Sequence, residues 1–298
     1  VIVGQTTEVA ASPGGIFPKL ENRDGWGQAA VLVLLVGGIY SSILFHLVKQ
    51  WAGDSDFSYG FFVPLFSLYV LWERRSELAR IPKAPSWWGL LVLAFALAVM
   101  VLGVLGAELF LSRISLLLVI AALVIFFYGW RYFRAVLFPW AFLFLMVPIP
   151  QIVLSQVTLP LQLLASRLAA ETLPLFQVPV LREGNIMTLA AMKLEVAEAC
   201  SGIRSLLSLI TLAIIYGYLT ETRIWIRTAL AVAAVPIAIF DNSLRIVGTG
   251  LLVQYWDPEK AEGFFHTFQG WLIFVVSLGM LFLVHQVLRK VPRREARA

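Results

Sequence analysis

This chain has one cysteine, three histidines and few charges: 14% of its 298 residues are Asp, Glu, Lys or Arg, against 60% apolar residues. Soluble domains carry about a quarter charged residues, so the deficit excludes an ordinary soluble enzyme and points to a polytopic membrane protein. A single Cys cannot close an intrachain disulfide. The sequence has no HExxH, no GxSxG elbow, no Gly-rich phosphate loop and no cluster of His, Cys and carboxylates at metal-ligand spacing. Neither a metal nor another cofactor is therefore expected. The net charge of +5 needs no nucleic-acid partner, because basic residues on cytoplasmic loops account for it.

What is present is a succession of apolar runs, each to be weighed against the ~20 residues that cross a ~30 Å hydrocarbon core. They fall at 29–48, 57–72, 88–105, 109–130, 135–148, 201–219, 224–256 and 265–288. The expected fold is an all-α polytopic membrane protein of about eight transmembrane helices. Residues 1–28 read as a flexible cytoplasmic tail without a signal-peptide apolar core, 29–288 as one integral membrane domain, and 289–298 as a basic cytoplasmic tail. We find no internal repeat and no second domain.

Residues 151–199 break the pattern. Gln156, Thr158, Gln162, Ser166, Arg167 and Glu171 are scattered among leucines over 151–173, which suits an amphipathic helix at the membrane surface. Arg182-Glu183-Gly184-Asn185 is a turn signal, and alternation from Lys193 to Glu198 is strand-like. An extracytoplasmic amphipathic helix and a small β-hairpin are thus expected between spans five and six. The basic residues cluster in the second-to-third loop, the fourth-to-fifth turn, the sixth-to-seventh loop and the C-terminal tail. Eight spans put all four on one side, the cytoplasmic one, with both termini.

Cys200 lies where the strand-like stretch meets the sixth run. Ser201 and Gly202 suit a helix start, whose unsatisfied N–H groups favour negative charge, and Arg204 follows one turn on. Both effects favour the reactive thiolate; the alternative is a small buried hydrophobe. Arg245 lies about 27 Å along the seventh run from Arg227, and His266 opens the eighth run about 34 Å from Arg289. Cys200 stands about 32 Å from Glu221 at the other end of the sixth. A Cys, an Arg and a His thus reach one outer level on three consecutive helices, as a cysteine hydrolase or acyl transferase requires. The thiolate would attack a carbonyl, His266 would act as general acid/base and Arg245 would hold the oxyanion. Taken singly, Arg245 is also readable as a snorkelling residue paired with Asp241, and His266 as an interfacial residue bonded to Glu262. His46 and His285 read as lipid-facing or interfacial residues without a role.

Three blocks carry a family resemblance: Glu198-Ala199-Cys200-Ser201-Gly202-Ile203-Arg204-Ser205, Asn242-Ser243-Leu244-Arg245-Ile246 and His266-Thr267-Phe268-Gln269-Gly270-Trp271. The chain resembles the exosortase/archaeosortase family over its whole length, with Cys, Arg and His in the same order. Asp56-Phe57-Ser58-Tyr59-Gly60-Phe61-Phe62-Val63-Pro64 also resembles an early family block, although Tyr59 stands where that block often has His. The resemblance implies a cysteine peptidase/transpeptidase with Cys200, Arg245 and His266 catalytic and Arg204, Asn242 and Ser201 in support. It implies membrane-anchored protein substrates with a tripartite C-terminal tail: a Pro-Glu-Pro-type signal, a membrane helix and a basic cluster. A lipid- or polysaccharide-linked acceptor, linked to exopolysaccharide production, follows from the same resemblance. The competing readings are a transporter built on the broken run around Pro236, Asp241 and Arg245, and an export or scaffold component in which Cys200 is dispensable.

Overall fold

The structure is a computed structural model that describes residues 24–190, 193–195, 203–255 and 264–291, with the backbone alone for 24–26, 28–29, 55, 194–195, 203–204 and 264–270. Twelve helices are described. They are α1 (Asp24–Ile39), α2 (Ser41–Gly53), α3 (Phe62–Glu73), α4 (Arg75–Ala79), α5 (Trp88–Leu105), α6 (Leu109–Tyr128), α7 (Trp130–Ala135), α8 (Leu137–Phe142), α9 (Gln151–Thr172), α10 (Ile203–Thr220), α11 (Ile224–Tyr255) and α12 (Phe264–Arg289). 3₁₀ segments cover Ser55–Phe61, Leu143–Met146 and Leu173–Phe176.

Five helical stretches among the described residues are long and apolar enough to cross a membrane: 88–105, 109–128, 151–176, 224–255 and 271–289. A sixth arises if α1 and α2, bent by 70° at Tyr40, count as one span. The count of eight is therefore not reached by length and composition. Two expected spans are short in the structure. α3 has 12 residues, about 18 Å of helix. The fifth run, 135–148, holds only the short helix α8 and a 3₁₀ segment that stops before Pro148-Ile149-Pro150, as proline dictates. The expected surface helix 151–173, conversely, passes as long and apolar enough.

The α1–α2 bend has a local cause. Tyr40 is buried, and its hydroxyl shares a 2.9 Å hydrogen bond with Ser115 Oγ on α6, which holds the chain at the break. α5 turns its large apolar side chains outward and buries only Gly89, Ala96 and Gly103. Small residues spaced by seven make one narrow stripe, along which α5 packs tightly on α6. An added Cβ at Gly103 would lie 2.7 Å from the Ser112 backbone N, so the pair has no room for a larger residue.

α11, at 32 residues, is about 48 Å long and exceeds the ~30 Å hydrocarbon core. Its last third carries the irregular segment. Ile246, Val247 and Val253 form one core with Ala165, Ala169, Leu173, Val178, Met187 and Leu189. The three strands are β1 (Val180–Glu183), β2 (Ile186–Leu189) and β3 (Lys193–Glu195), antiparallel in the order β1-β2-β3. The expected hairpin is thus present and extended by a third strand. Gly184, at φ +66°, opens its two-residue turn, a conformation glycine adopts without steric penalty.

The block Asp56–Pro64 forms a structural pin. Trp51 is buried at the end of α2, donates Nε1–H to the Met146 carbonyl at 3.0 Å and packs edge-on against Phe61. A Cβ at Gly60 would meet the Trp51 ring, at 2.6 Å from Cδ1 and 2.7 Å from Cε2. Gly60→Ala is therefore expected to destabilise the protein by about 1–3 kcal/mol through overpacking. Thermal melting in detergent checks this. The double variant Gly60→Ala/Trp51→Phe should lose less than the sum of its singles, because the smaller ring removes the clash.

Candidate active site

α10, α11 and α12 pack on one another, and two close contacts fix their relative register. A Cβ at Gly217 of α10 would lie 3.4 Å from Arg227 Cα of α11. Higher up, Ser277 of α12 donates its hydroxyl to Asp241 Oδ2 of α11, both residues being buried. From the first contact, Ile203 lies 14 residues up α10 and Arg245 18 residues up α11, about 21 and 27 Å. Cys200 precedes Ile203 by three residues. From the second contact, Arg245 is four residues further and His266 eleven, about 6 and 17 Å. Along the helix axes the start of α10 at Ile203 therefore lies about 6 Å short of the level of Arg245. The backbone of His266 stands about 10 Å beyond it, so the single level expected for all three residues does not extend to the His266 backbone.

Cys200 and Ser201 lie outside the described residues, and the side chains of Arg204 and His266 are not described. Asn242 and Arg245 are. Asn242 is buried beside Asp241, Arg245 is half-buried, and the Arg245 carbonyl accepts from Thr249 Oγ1 at 3.0 Å. The i,i+4 pairing of Arg245 with Asp241 is not formed. The carboxylate of Asp241 turns instead to Ser277 on the next helix.

The same end of the bundle holds a polar cavity of about 430 Å³. Asp54, Asp56, Gln151, Gln156, Gln162 and Asn185 contribute its polar wall. Asp54 caps the 3₁₀ segment by accepting the Asp56 N–H at 2.9 Å, and this segment packs on α10. The cavity thus adjoins the helix that begins just after Cys200.

A family comparison decides what this arrangement belongs to. A family model described as Transmembrane exosortase matches residues 51–283, more than half of the chain and all three motif blocks. The chain belongs to the transmembrane exosortase family. This exosortase is a multi-pass membrane protein. None of the curated proteins and none of the solved structures compared with it matches.

At the opposite end of α10–α12 the structure corrects one sequence expectation. His285 is not lipid-facing but buried at 2% exposure, bonded through Nδ1 to the Tyr216 hydroxyl at 2.8 Å, with Nε2 3.6 Å from Glu221 Oε2. His46 is exposed, as expected. Glu221 lies in the loop between α10 and α11. The Arg223 backbone N–H, foremost, holds its carboxyl below the ordinary 4.5 against the opposing effect of burial; Thr222 N–H and His285 add to this. A carboxyl lowered on folding stabilises the fold above its unfolded pKa and loses that contribution as pH falls through its folded value. Melting temperature should therefore fall as pH drops below about 4.5, and less steeply in Glu221→Gln.

Sequence reasoning also passed over Arg113. It lies within α6 at 3% exposure, and its Nε and Nη2 have no hydrogen-bond partner among the described residues. An ionisable residue inside an apolar run was a signal by itself. Among the described residues no group of His, Cys, Asp and Glu has metal-site geometry.

Proposed function

We propose that this exosortase is a cysteine transpeptidase that cleaves the C-terminal sorting tail from membrane-anchored proteins at the outer interface and passes them to a surface acceptor. The observation that carries the reading is that the start of α10 comes to within about 6 Å of the level of Arg245, inside a chain of this family. The Cys200 thiolate adds to the scissile carbonyl carbon, and the Arg245 guanidinium receives the oxyanion. As the C–N bond breaks, His266 gives its proton to the leaving amine and a thioester remains on Cys200. An acceptor nucleophile, or water, then attacks the thioester and releases the thiol. His266, set further along α12, approaches the scissile bond from the leaving-amine side.

Orientation follows from charge. Arg74, Arg75, Arg80, Lys83, Arg131, Arg134, Arg223 and Arg227 all lie at the end opposite the sheet. Arg74 Nη1 bonds the Ala135 carbonyl, Tyr218 bonds Glu73 and Arg227 covers the Tyr218 ring. That end faces the cytoplasm of a bacterial-type inner membrane, with both termini on that side, and the sheet and polar cavity face outward. The cavity, rich in Gln and Asn side chains, suits an extended peptide whose backbone needs hydrogen-bond partners, and the edge strands offer a second way to hold it. The basic cluster of the substrate tail stays on the cytoplasmic side, its helix crosses the bilayer, and the scissile bond emerges at the level of Arg245.

The test is conversion of a tagged membrane protein bearing a Pro-Glu-Pro-type tripartite tail, with and without the exosortase, read by mass spectrometry. A tail-less product, trapped as a hydroxamate when hydroxylamine is supplied, supports a thioester route. An unprocessed substrate at full exosortase expression overturns it.

A further inference from the structure

A second cavity lies away from the candidate active site. It has a volume of about 1100 Å³ and runs between α3, α6 and α8, with no residue of α10–α12 in its wall. Along α6 its wall extends from Leu116 through Ile120 and Val124 to Tyr128, twelve residues or about 18 Å. The walls are almost wholly apolar. Two of the polar groups inside are already engaged within the protein: Ser67 Oγ donates to the Pro139 carbonyl at 3.0 Å, and Trp140 Nε1–H to the Leu117 carbonyl at 2.8 Å. Water entering this space would find few partners, and such cavities stay dry or take hydrocarbon.

The mouth has a different chemistry. Arg75 and Lys83 line it, both exposed, on the end rich in basic residues. Arg75 Nη1 donates to the Trp72 carbonyl at 2.8 Å with its guanidinium 4.5 Å over the Trp72 ring, and Lys83 Nζ stands 5.3 Å from the Tyr128 ring centroid. Among the described residues neither cation meets a carboxylate. Two such cations over a long apolar cavity match an anion attached to a hydrocarbon chain, and basic pockets between helices on the cytoplasmic side bind lipid headgroups of this kind.

We propose that this groove binds one anionic phospholipid of the cytoplasmic leaflet, with its phosphate between Arg75 and Lys83 and its acyl chains along α6. At ~30 Å³ for a water-sized group, the cavity holds roughly 35 such groups, the scale of two acyl chains. The substrate's own helix is a poorer occupant, because its basic cluster would face the two cations. The assignment does not depend on the proposed chemistry at Cys200.

The delipidated protein is incubated with equal amounts of phosphatidylglycerol and phosphatidylcholine, and bound lipid is read by native mass spectrometry. Wild type should retain phosphatidylglycerol preferentially. Arg75→Gln/Lys83→Gln should reduce that preference about 10- to 30-fold, as two near-surface cations imply. Arg289→Gln/Lys290→Gln, at the same end but outside the groove wall, should leave it unchanged. Ile120→Trp fills the cavity and should lower retention of both lipids, with a cooperative melt confirming that the variant is folded. Equal retention of the two lipids by wild type overturns the proposal, as does an unaltered preference in Arg75→Gln/Lys83→Gln. Displacement of the lipid by a synthetic substrate-tail helix with its basic cluster assigns the groove to substrate instead.

Discussion

Cys200→Ala is expected to abolish the tail-less product, with a loss on the order of 10³-fold or more, while the protein still accumulates in the membrane. No other group in the sequence can replace the thiol as the attacking sulfur, because Cys200 is the single cysteine. That also makes the experiment clean, since every alkylation signal from the protein reports on this residue alone. Iodoacetamide should label the folded protein faster at neutral pH than the unfolded one, because a helix start and a nearby Arg204 favour the thiolate. Prior labelling should block processing in proportion to the thiol consumed. The transporter and scaffold readings make the opposite forecast, with Cys200→Ala neutral and alkylation inert. Normal processing by Cys200→Ala would end the nucleophile assignment.

The membrane class, most apolar runs and the sheet after 178 were legible in the sequence because hydropathy and turn chemistry are local signals. Val63, Phe66, Ser67 and Val70 sit at helical spacing and are the residues α3 buries. The span count was less legible. A run such as 135–148 is uniformly apolar whether it forms one straight helix or one short helix and a 3₁₀ segment, since packing and proline decide that. Residues 151–176 carry the converse ambiguity. Their polar residues suggest a surface helix, while the helix has the length and composition of a span, and its second half packs on the last third of α11. Gly89, Ala96 and Gly103 were visible as small residues, but their seven-residue spacing gains meaning only when α6 is seen against them.

The candidate site divides in the same way. Order and approximate depth of Cys200, Arg245 and His266 came from motif and helix rise. Relative register came only from contacts between helices, Gly217 with Arg227 and Ser277 with Asp241. Asp241 illustrates the limit. Its i,i+4 relation to Arg245 made an intrahelical pair the natural expectation, but a neighbouring helix supplied Ser277 as a better-placed donor. His285 failed for a related reason: in a mostly apolar run it looked lipid-facing or interfacial, and only Tyr216 and Glu221, 69 and 64 positions away, make it a buried polar residue.

The register of Arg245 leads to the second large effect. Arg245→Ala is expected to slow processing by about 10²- to 10³-fold, the usual loss when one oxyanion donor is removed. Arg245→Lys should recover only part of it, because an ammonium keeps the charge but not the planar fork of donors. Stability separates this role from a structural one. Asp241 already has Ser277 as its partner, so removal of Arg245 does not strand that carboxylate, and the melting temperature should stay close to wild type. Ser277→Ala supplies the converse. It takes away the hydroxyl facing a buried carboxylate, and it should lower melting by the equivalent of about 1–3 kcal/mol with a smaller effect on processing per folded molecule. If Arg245→Ala melts as low as Ser277→Ala and its folded fraction processes normally, Arg245 is a structural residue and the oxyanion must be held elsewhere. If Arg245→Ala is stable and slow, the nearness in level of Arg245 and the start of α10 reflects how the site is built, with the guanidinium where charge develops.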